Sequence, residues 1–227
     1  MKPILFNTEM VRAILDGRKT TTRRRVRKKY SNTDLMMFTN KYGTRLIEQQ
    51  NDAPKPIEFI DEDGVKRTRC SLIAYVECKL PYQPGDILYV RETWGISNLN
   101  ERESTMIVQY KTDDSYGTAI LSPDKFQKYY ERMSETEPDW HPSIHMPKEA
   151  ARIFLRVKGV RAERLQNITD EEAENEGCTD ATSTAMGFFD VWDSTIKKSD
   201  RDKYGWNANP WVWVISFEQC KKPEDGK

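Results

Sequence analysis

Asp16-Gly17-Arg18-Lys19-Thr20-Thr21-Thr22-Arg23-Arg24-Arg25-Val26-Arg27-Lys28-Lys29 carries eight basic side chains in the twelve residues from Arg18 to Lys29, with no acid among them. Just upstream, Val11, Ile14 and Leu15 form an apolar stripe at i, i+3, i+4. Asn7 or Thr8 is placed to cap a short helix there, and Gly17 supplies the left-handed residue that ends it. Three consecutive threonines then favour an extended segment over Arg18 to Val26. The whole chain is neutral, with Lys plus Arg and Asp plus Glu both at 36, so acids elsewhere must balance the basic run. Charge segregated in this way suggests a phosphate-contacting site; the plainer alternative is a charged edge strand that resists aggregation.

A chain of 227 residues with six Trp and 11% aromatic content has the material for a buried core. Its 32% charged residues give that globule a strongly polar surface. No apolar run approaches the roughly 20 residues that cross a bilayer. The opening Met1 to Phe6 meets Glu9 before a secretory core develops. A cytoplasmic protein with no membrane association is expected. Cys70, Cys78, Cys178 and Cys220 include no Cys-x-x-Cys pair and are too sparse for a disulfide framework, so reduced thiols are expected. His141 and His145 have a helical ligand spacing, but Pro142 stands between them. Neither a metal nor a cofactor is expected.

Lys28 to about Arg67 is polar and irregular, with Pro54, Pro56 and Asp63-Gly64, and reads as a long loop or insertion. Thr68 to Cys78 reads as a strand with Leu72, Ala74, Val76 and Cys78 on one face, followed by Ile87 to Trp94 and Met106 to Lys111. Ser122-Pro123 opens a helix with Phe126, Tyr129, Tyr130 and Met133 inward. Pro138 to Pro147 reads as a loop. Ile153, Leu155 and Val157 alternate with Arg152, Arg156 and Lys158. Thr169-Asp170-Glu171-Glu172 is a capping box, and Gly177 closes its helix. Phe188, Trp192 and Ile196 share a helical stripe. Trp211 to Phe217 is apolar on both faces over most of its length, as a central, doubly covered strand would be. Short strands with interspersed helices predict an α+β fold around a small curled sheet or barrel, in one domain spanning 1–227.

Three stretches, Ile14 to Arg23, Gly85-Asp86 and Trp211 to Phe217, resemble the ASCH domain, a relative of the PUA RNA-binding fold. More narrowly, Pro3-Ile4-Leu5-Phe6, Val90-Arg91-Glu92-Thr93-Trp94, Ser143-Ile144-His145-Met146-Pro147 and Tyr204 to Trp211 look like the larger ASCH proteins of bacteriophages and prophages. The resemblance covers both ends and the middle, and leaves insertions at about 30–68 and 96–138. It implies a small PUA-like mixed β-barrel with flanking helices and a cleft suited to a nucleotide or nucleic-acid strand. Small bacterial ASCH proteins include an amidohydrolase that deacetylates acetylcytidine with a Lys, a Thr three residues later and a downstream Glu. Lys19 and Thr22 match the Lys-x-x-Thr pair, and the acidic helix Thr169 to Glu176 points to Glu176.

The chemistry asks for these residue types. A Thr hydroxyl is a poor nucleophile unless a base takes its proton, and a Lys amine serves only if burial or nearby cations lower its pKa. If Arg18 to Val26 is one strand, positions 19 and 22 face opposite sides, so they converge only through a turn, bulge or bend. Glu176, at the end of its helix, sits where the dipole disfavours a carboxylate, so it either faces water or is held by a cation such as Lys19. The expected set is Lys19 as base, Thr22 as nucleophile and Glu176 as acid. Arg18, Arg23, Arg24, Arg25, Arg91, Glu92, Trp94, His145 and Trp206 are candidate binding residues. Expected partners are RNA or a modified nucleoside, with DNA left open. A binding module without catalysis and a metal-independent ribonuclease are the other readings.

Overall fold

The computed structural model describes residues 1–31, 33–40, 43–50, 57–60, 62, 64, 66–69, 75–132, 139–179 and 184–223. The chain runs β1 (Lys2–Leu5), α1 (Thr8–Leu15), β2 (Thr21–Arg25), β3 (Thr33–Asn40), β4 (Gly43–Gln50), β5 (Ile57–Ile60), β6 (Lys66–Arg69), β7 (Tyr75–Glu77), β8 (Ile87–Arg91), β9 (Trp94–Asn100), β10 (Thr105–Tyr110) and β11 (Tyr116–Ile120). It continues through α2 (Pro123–Tyr130), β12 (Asp139–His141), β13 (Phe154–Arg164), α3 (Asp170–Asn175), α4 (Thr184–Thr195), α5 (Arg201–Tyr204) and β14 (Trp211–Cys220). The architecture is mixed α+β.

Five strands form the central sheet in the order β1-β8-β13-β14-β2, with β1 parallel to β8 and the other neighbours antiparallel. β14 is covered on both faces, as its composition predicts. Trp213, Ile215 and Phe217 pack with Ile4, Phe6, Val11 and Ile14, while Val212 and Val214 face Leu165, Phe188 and Trp192. Helix α1 closes the first core. Asn7 caps it, its Oδ1 accepting from the Met10 N–H at 2.8 Å, and Leu15, expected inside, is 40% exposed.

The expected barrel does not close among the described strands. Edges β1 and β2 share no ladder; Arg24 Nη2 reaches across to donate to the Leu5 carbonyl at 2.5 Å. One side-chain bond substitutes for a row of main-chain bonds, which leaves a gap in the wall beside β2.

The stretch read as an irregular loop after Lys28 is instead an antiparallel ladder of β3 and β4 joined by β7, with β5 and β6 paired separately. Leu46 and Ile47 are buried, and Glu48 accepts from the main-chain N–H groups of Lys29 and Tyr30, which anchors the end of the basic run. Of the expected strand Thr68 to Cys78, Leu72 and Ala74 lie outside the described residues, as do Pro54, Pro56, Met133 and Cys70. The other interruption, β9 to β12 with α2, builds a four-stranded sheet with its own core of Trp94, Ile96, Met106, Val108 and Phe126. Phe126 is inward as expected, whereas Tyr130 is exposed. Part of the expected Pro138 to Pro147 loop is strand β12.

Candidate functional site

The basic run does not begin as a strand. Gly17, at φ +75°, turns the chain at the end of α1, and the main-chain N–H groups of Arg18 and Lys19 both donate to the Ala13 carbonyl at 2.9 Å. Residues 18–20 therefore wrap the helix end, and β2 starts only at Thr21. The boundary expected at Arg18 shifts by three residues, so Lys19 lies in a turn and Thr22 in the strand; both Lys19 Nζ hydrogen bonds go to Glu176.

Helix α3 docks onto this turn. Its capping box is complete: Thr169 Oγ1 accepts from Glu172 N–H, and the Glu172 side chain accepts from Thr169 N–H. At its other end Thr20 N–H donates to the Asn175 carbonyl at 2.8 Å. Gly177 has φ +92°, and a Cβ there would stand 2.8 Å from the Ala13 Cβ. Only glycine allows so close an approach of α3 to α1. Gly177→Ala is expected to cost about 1–3 kcal/mol in urea denaturation, from the left-handed conformation together with the clash.

Glu176, the residue capping the end of α3, is thereby delivered to Lys19. Lys19 Nζ donates to Glu176 Oε2 at 2.6 Å and to the Glu176 carbonyl at 2.7 Å, and the Lys19 side chain is fully buried. Burial lowers the Lys19 pKa below the ordinary 10.5, against the opposing pull of the Glu176 carboxylate. Arg23, one register step from Thr22, faces the same helix. It bonds Glu163 Oε1 at 2.7 Å, Glu172 Oε2 at 2.7 Å and Glu176 Oε1 at 3.3 Å. Arg161 completes the network through Glu163 and Glu172.

The acids that balance the basic run are thus local. Arg18 pairs with Asp16, Lys19 with Glu176, Arg23 with the three glutamates and Arg25 with Asp200. Arg24, Arg27, Lys28 and Lys29 have no carboxylate partner among the described residues. Arg24 stands out because its guanidinium lies 5.1 Å from the Phe6 ring centre and desolvation pulls its pKa below the ordinary value. A partly dehydrated cation with no carboxylate in ion-pair contact among the described residues, on which Glu176 acts from farther away, is a ready anion contact.

Three cavities meet at Arg24 and Thr195, which line all of them. One, of about 410 Å³, runs along Arg23, Arg24, Arg25 and Arg27 to Lys197 and Asp200. A second, of about 340 Å³, extends past Phe6, Asn7 and Thr8 to Thr93 and Ser143. The third is a recess of about 30 Å³ bounded by Thr22, Glu176 and Met10 under Phe188, Val191 and Trp192 of α4. It has room for one or two waters or a comparably small group. Thr22 is 2% exposed, and beside it the buried Thr21 hydroxyl has no hydrogen-bond partner among the described residues.

The remaining candidates stand differently from what the sequence suggests. Arg23 is fully buried in its network and so is not an outward phosphate contact. Glu92 is 1% exposed and held by Arg152 Nε and Nη2, both at 2.9 Å, and by Thr112. Its cation is therefore Arg152 rather than the adjacent Arg91, which donates to the Ile144 carbonyl. Trp94 is buried in the second core, and His145 borders a different cavity there. Trp206 packs edge-on against Phe188 and Phe189, away from the cleft walls. Sequence reasoning missed Thr93, Thr195, Glu163 and Arg152. Among the described residues no group of three or more His, Cys, Asp and Glu side chains is placed to hold a metal, and no helix is long and apolar enough to cross a membrane.

Comparison of the chain with protein-family models, with curated proteins and with solved structures gives no match.

Proposed function

We propose that the chain is an ASCH protein of the PUA-like group, of the larger phage type, acting in the cytoplasm as an amidohydrolase on an acylated nucleobase such as that of acetylcytidine. The observation that carries this reading is the buried Lys19 to Glu176 contact at 2.6 Å, with Thr22 and Glu176 on one recess at the floor of a cationic cleft. The neutral Lys19 amine takes the Thr22 proton, and the Thr22 oxygen attacks the acyl carbonyl carbon. As the carbon–nitrogen bond breaks, the nucleobase nitrogen leaves with a proton delivered from the Lys19 and Glu176 pair. Water then cleaves the Thr22 ester, so one acyl nucleoside and one water give one nucleoside and one carboxylic acid. A recess of about 30 Å³ suits a two-carbon acyl group and leaves the base in the wider cleft beside Arg24.

The test is to incubate the purified protein with acetylcytidine and related acylated nucleosides, without added metal. Release of free nucleoside, absent with Lys19→Ala, supports the reading; no deacylation of any of them overturns it.

The unpaired cations favour a second reading, a nucleic-acid-binding module without chemistry. In that case Arg24 and Arg27 would contact a strand backbone, and affinity for single-stranded RNA would fall steeply with salt. Replacing both by alanine is then expected to flatten the plot of log affinity against log salt by about two units, while Thr22→Ala leaves it unchanged. Cutting of the RNA in these mixtures, dependent on Lys19, would mark the ribonuclease alternative.

A further inference from the structure

We infer that the sheet formed by β9 to β12 carries a second binding site, separate from the cleft, that takes a nucleotide by its base ring and its phosphate. A cavity of about 290 Å³ lies between this sheet and α2, at the small end of the range for small-molecule sites. Trp94, Tyr129 and His141 supply its rings. Trp94 and His141 have centroids 4.8 Å apart at 34°, and Tyr129 meets the indole edge-on at 5.9 Å. Lys128 and Arg132, four residues apart and both exposed, stand with His145 in the same lining, which contains no carboxylate among the described residues.

Aromatic walls accept a planar ring, and a cationic rim accepts a negative charge; a nucleotide carries both on one molecule. Trp94 adds a second, independent mark. Its Nε1–H is buried with no acceptor among the described residues, although a buried indole N–H is normally bonded.

The site is distinct from the reaction cleft. Pro142 and Ser143 line the cleft, whereas His141 and His145 line this cavity, so the chain from 141 to 145 divides the two. The proposal therefore stands apart from the deacylase reading and gives the segment inserted at about 96–138 a task of its own.

Isothermal titration of the full chain with 5′-CMP, UMP, AMP and GMP, and with the matching nucleosides, tests it. At least one nucleotide is expected to bind about tenfold or more tightly than its nucleoside, because only the nucleotide has the charge for Lys128 and Arg132. Lys128→Glu with Arg132→Glu, both at exposed positions and checked for fold by circular dichroism, is expected to weaken that binding by at least about tenfold. Arg24→Ala is expected to leave it unchanged. No heat with any nucleotide, equal affinity for nucleoside and nucleotide, displacement by equal concentrations of inorganic phosphate, or loss on Arg24→Ala instead would each overturn the proposal.

Discussion

Arg23→Ala is expected to lower the unfolding free energy by about 3 kcal/mol, because it removes the buried cation shared by one buried and two partly buried carboxylates. Glu163, Glu172 and Glu176 converge on one guanidinium whose side chain has no solvent exposure. Without it, Glu176 keeps Lys19 and Glu163 keeps Arg161, while the three acids repel one another in a poorly hydrated space. Arg23→Met, which retains much of the apolar stem, is expected to recover little of the loss. Urea denaturation followed by circular dichroism gives both values; a loss below about 1 kcal/mol would place Arg23 among ordinary surface pairs.

Lys19→Ala is expected to reduce kcat/KM for acetylcytidine deacylation by about 10²–10⁴-fold, the usual contribution of a positioned base, and Thr22→Ala, which removes the nucleophile, by at least as much. Thr22→Ser, which keeps a hydroxyl, is expected to retain more activity than Thr22→Ala. The pH profile follows from the protonation state required. In the proposed reaction Lys19 acts as the neutral amine, and its pKa lies below 10.5 because burial disfavours the ammonium. Activity should therefore rise with pH and level off below 10.5, rather than climb through the whole range of an exposed lysine.

Local signals in the sequence transferred well to the fold. The Asn7 cap, the Gly17 stop, the Thr169 capping box and the doubly covered strand at Trp211 to Phe217 each depend on residues close in the chain, and each is present. Ile153, Leu155 and Val157 are all inward, as their alternation predicts. What failed was information carried across the chain. In β13 the register slips between Val157 and Gly159, so the inward positions change from odd to even numbers. Simple continuation of the alternation would send Arg161 and Glu163 to the wrong face, which is why neither was expected beside Arg23. Glu92 stands next to Arg91 in the chain, but the cation that reaches it is sixty residues away.

The ladder from β3 to β4 was missed for a different reason. Its charged and polar residues mask the two-residue period, and only Leu46 and Ile47 mark the buried part of β4. The acids that neutralise the basic run are likewise invisible as partners until α3 is docked, since Arg23 and Glu176 lie 153 residues apart. Composition could require such acids without saying where they stand.

The central claim is that Thr22 accepts the acyl group at the Lys19 and Glu176 centre. Its most direct test is acid-quenched single turnover with acetylcytidine, with the quenched protein digested and its peptides weighed, beside the turnover rate of Thr22→Ala. The account predicts transient acetyl ester on Thr22 and little cytidine release from the alanine variant. Cytidine released by Thr22→Ala at the wild-type rate would contradict it.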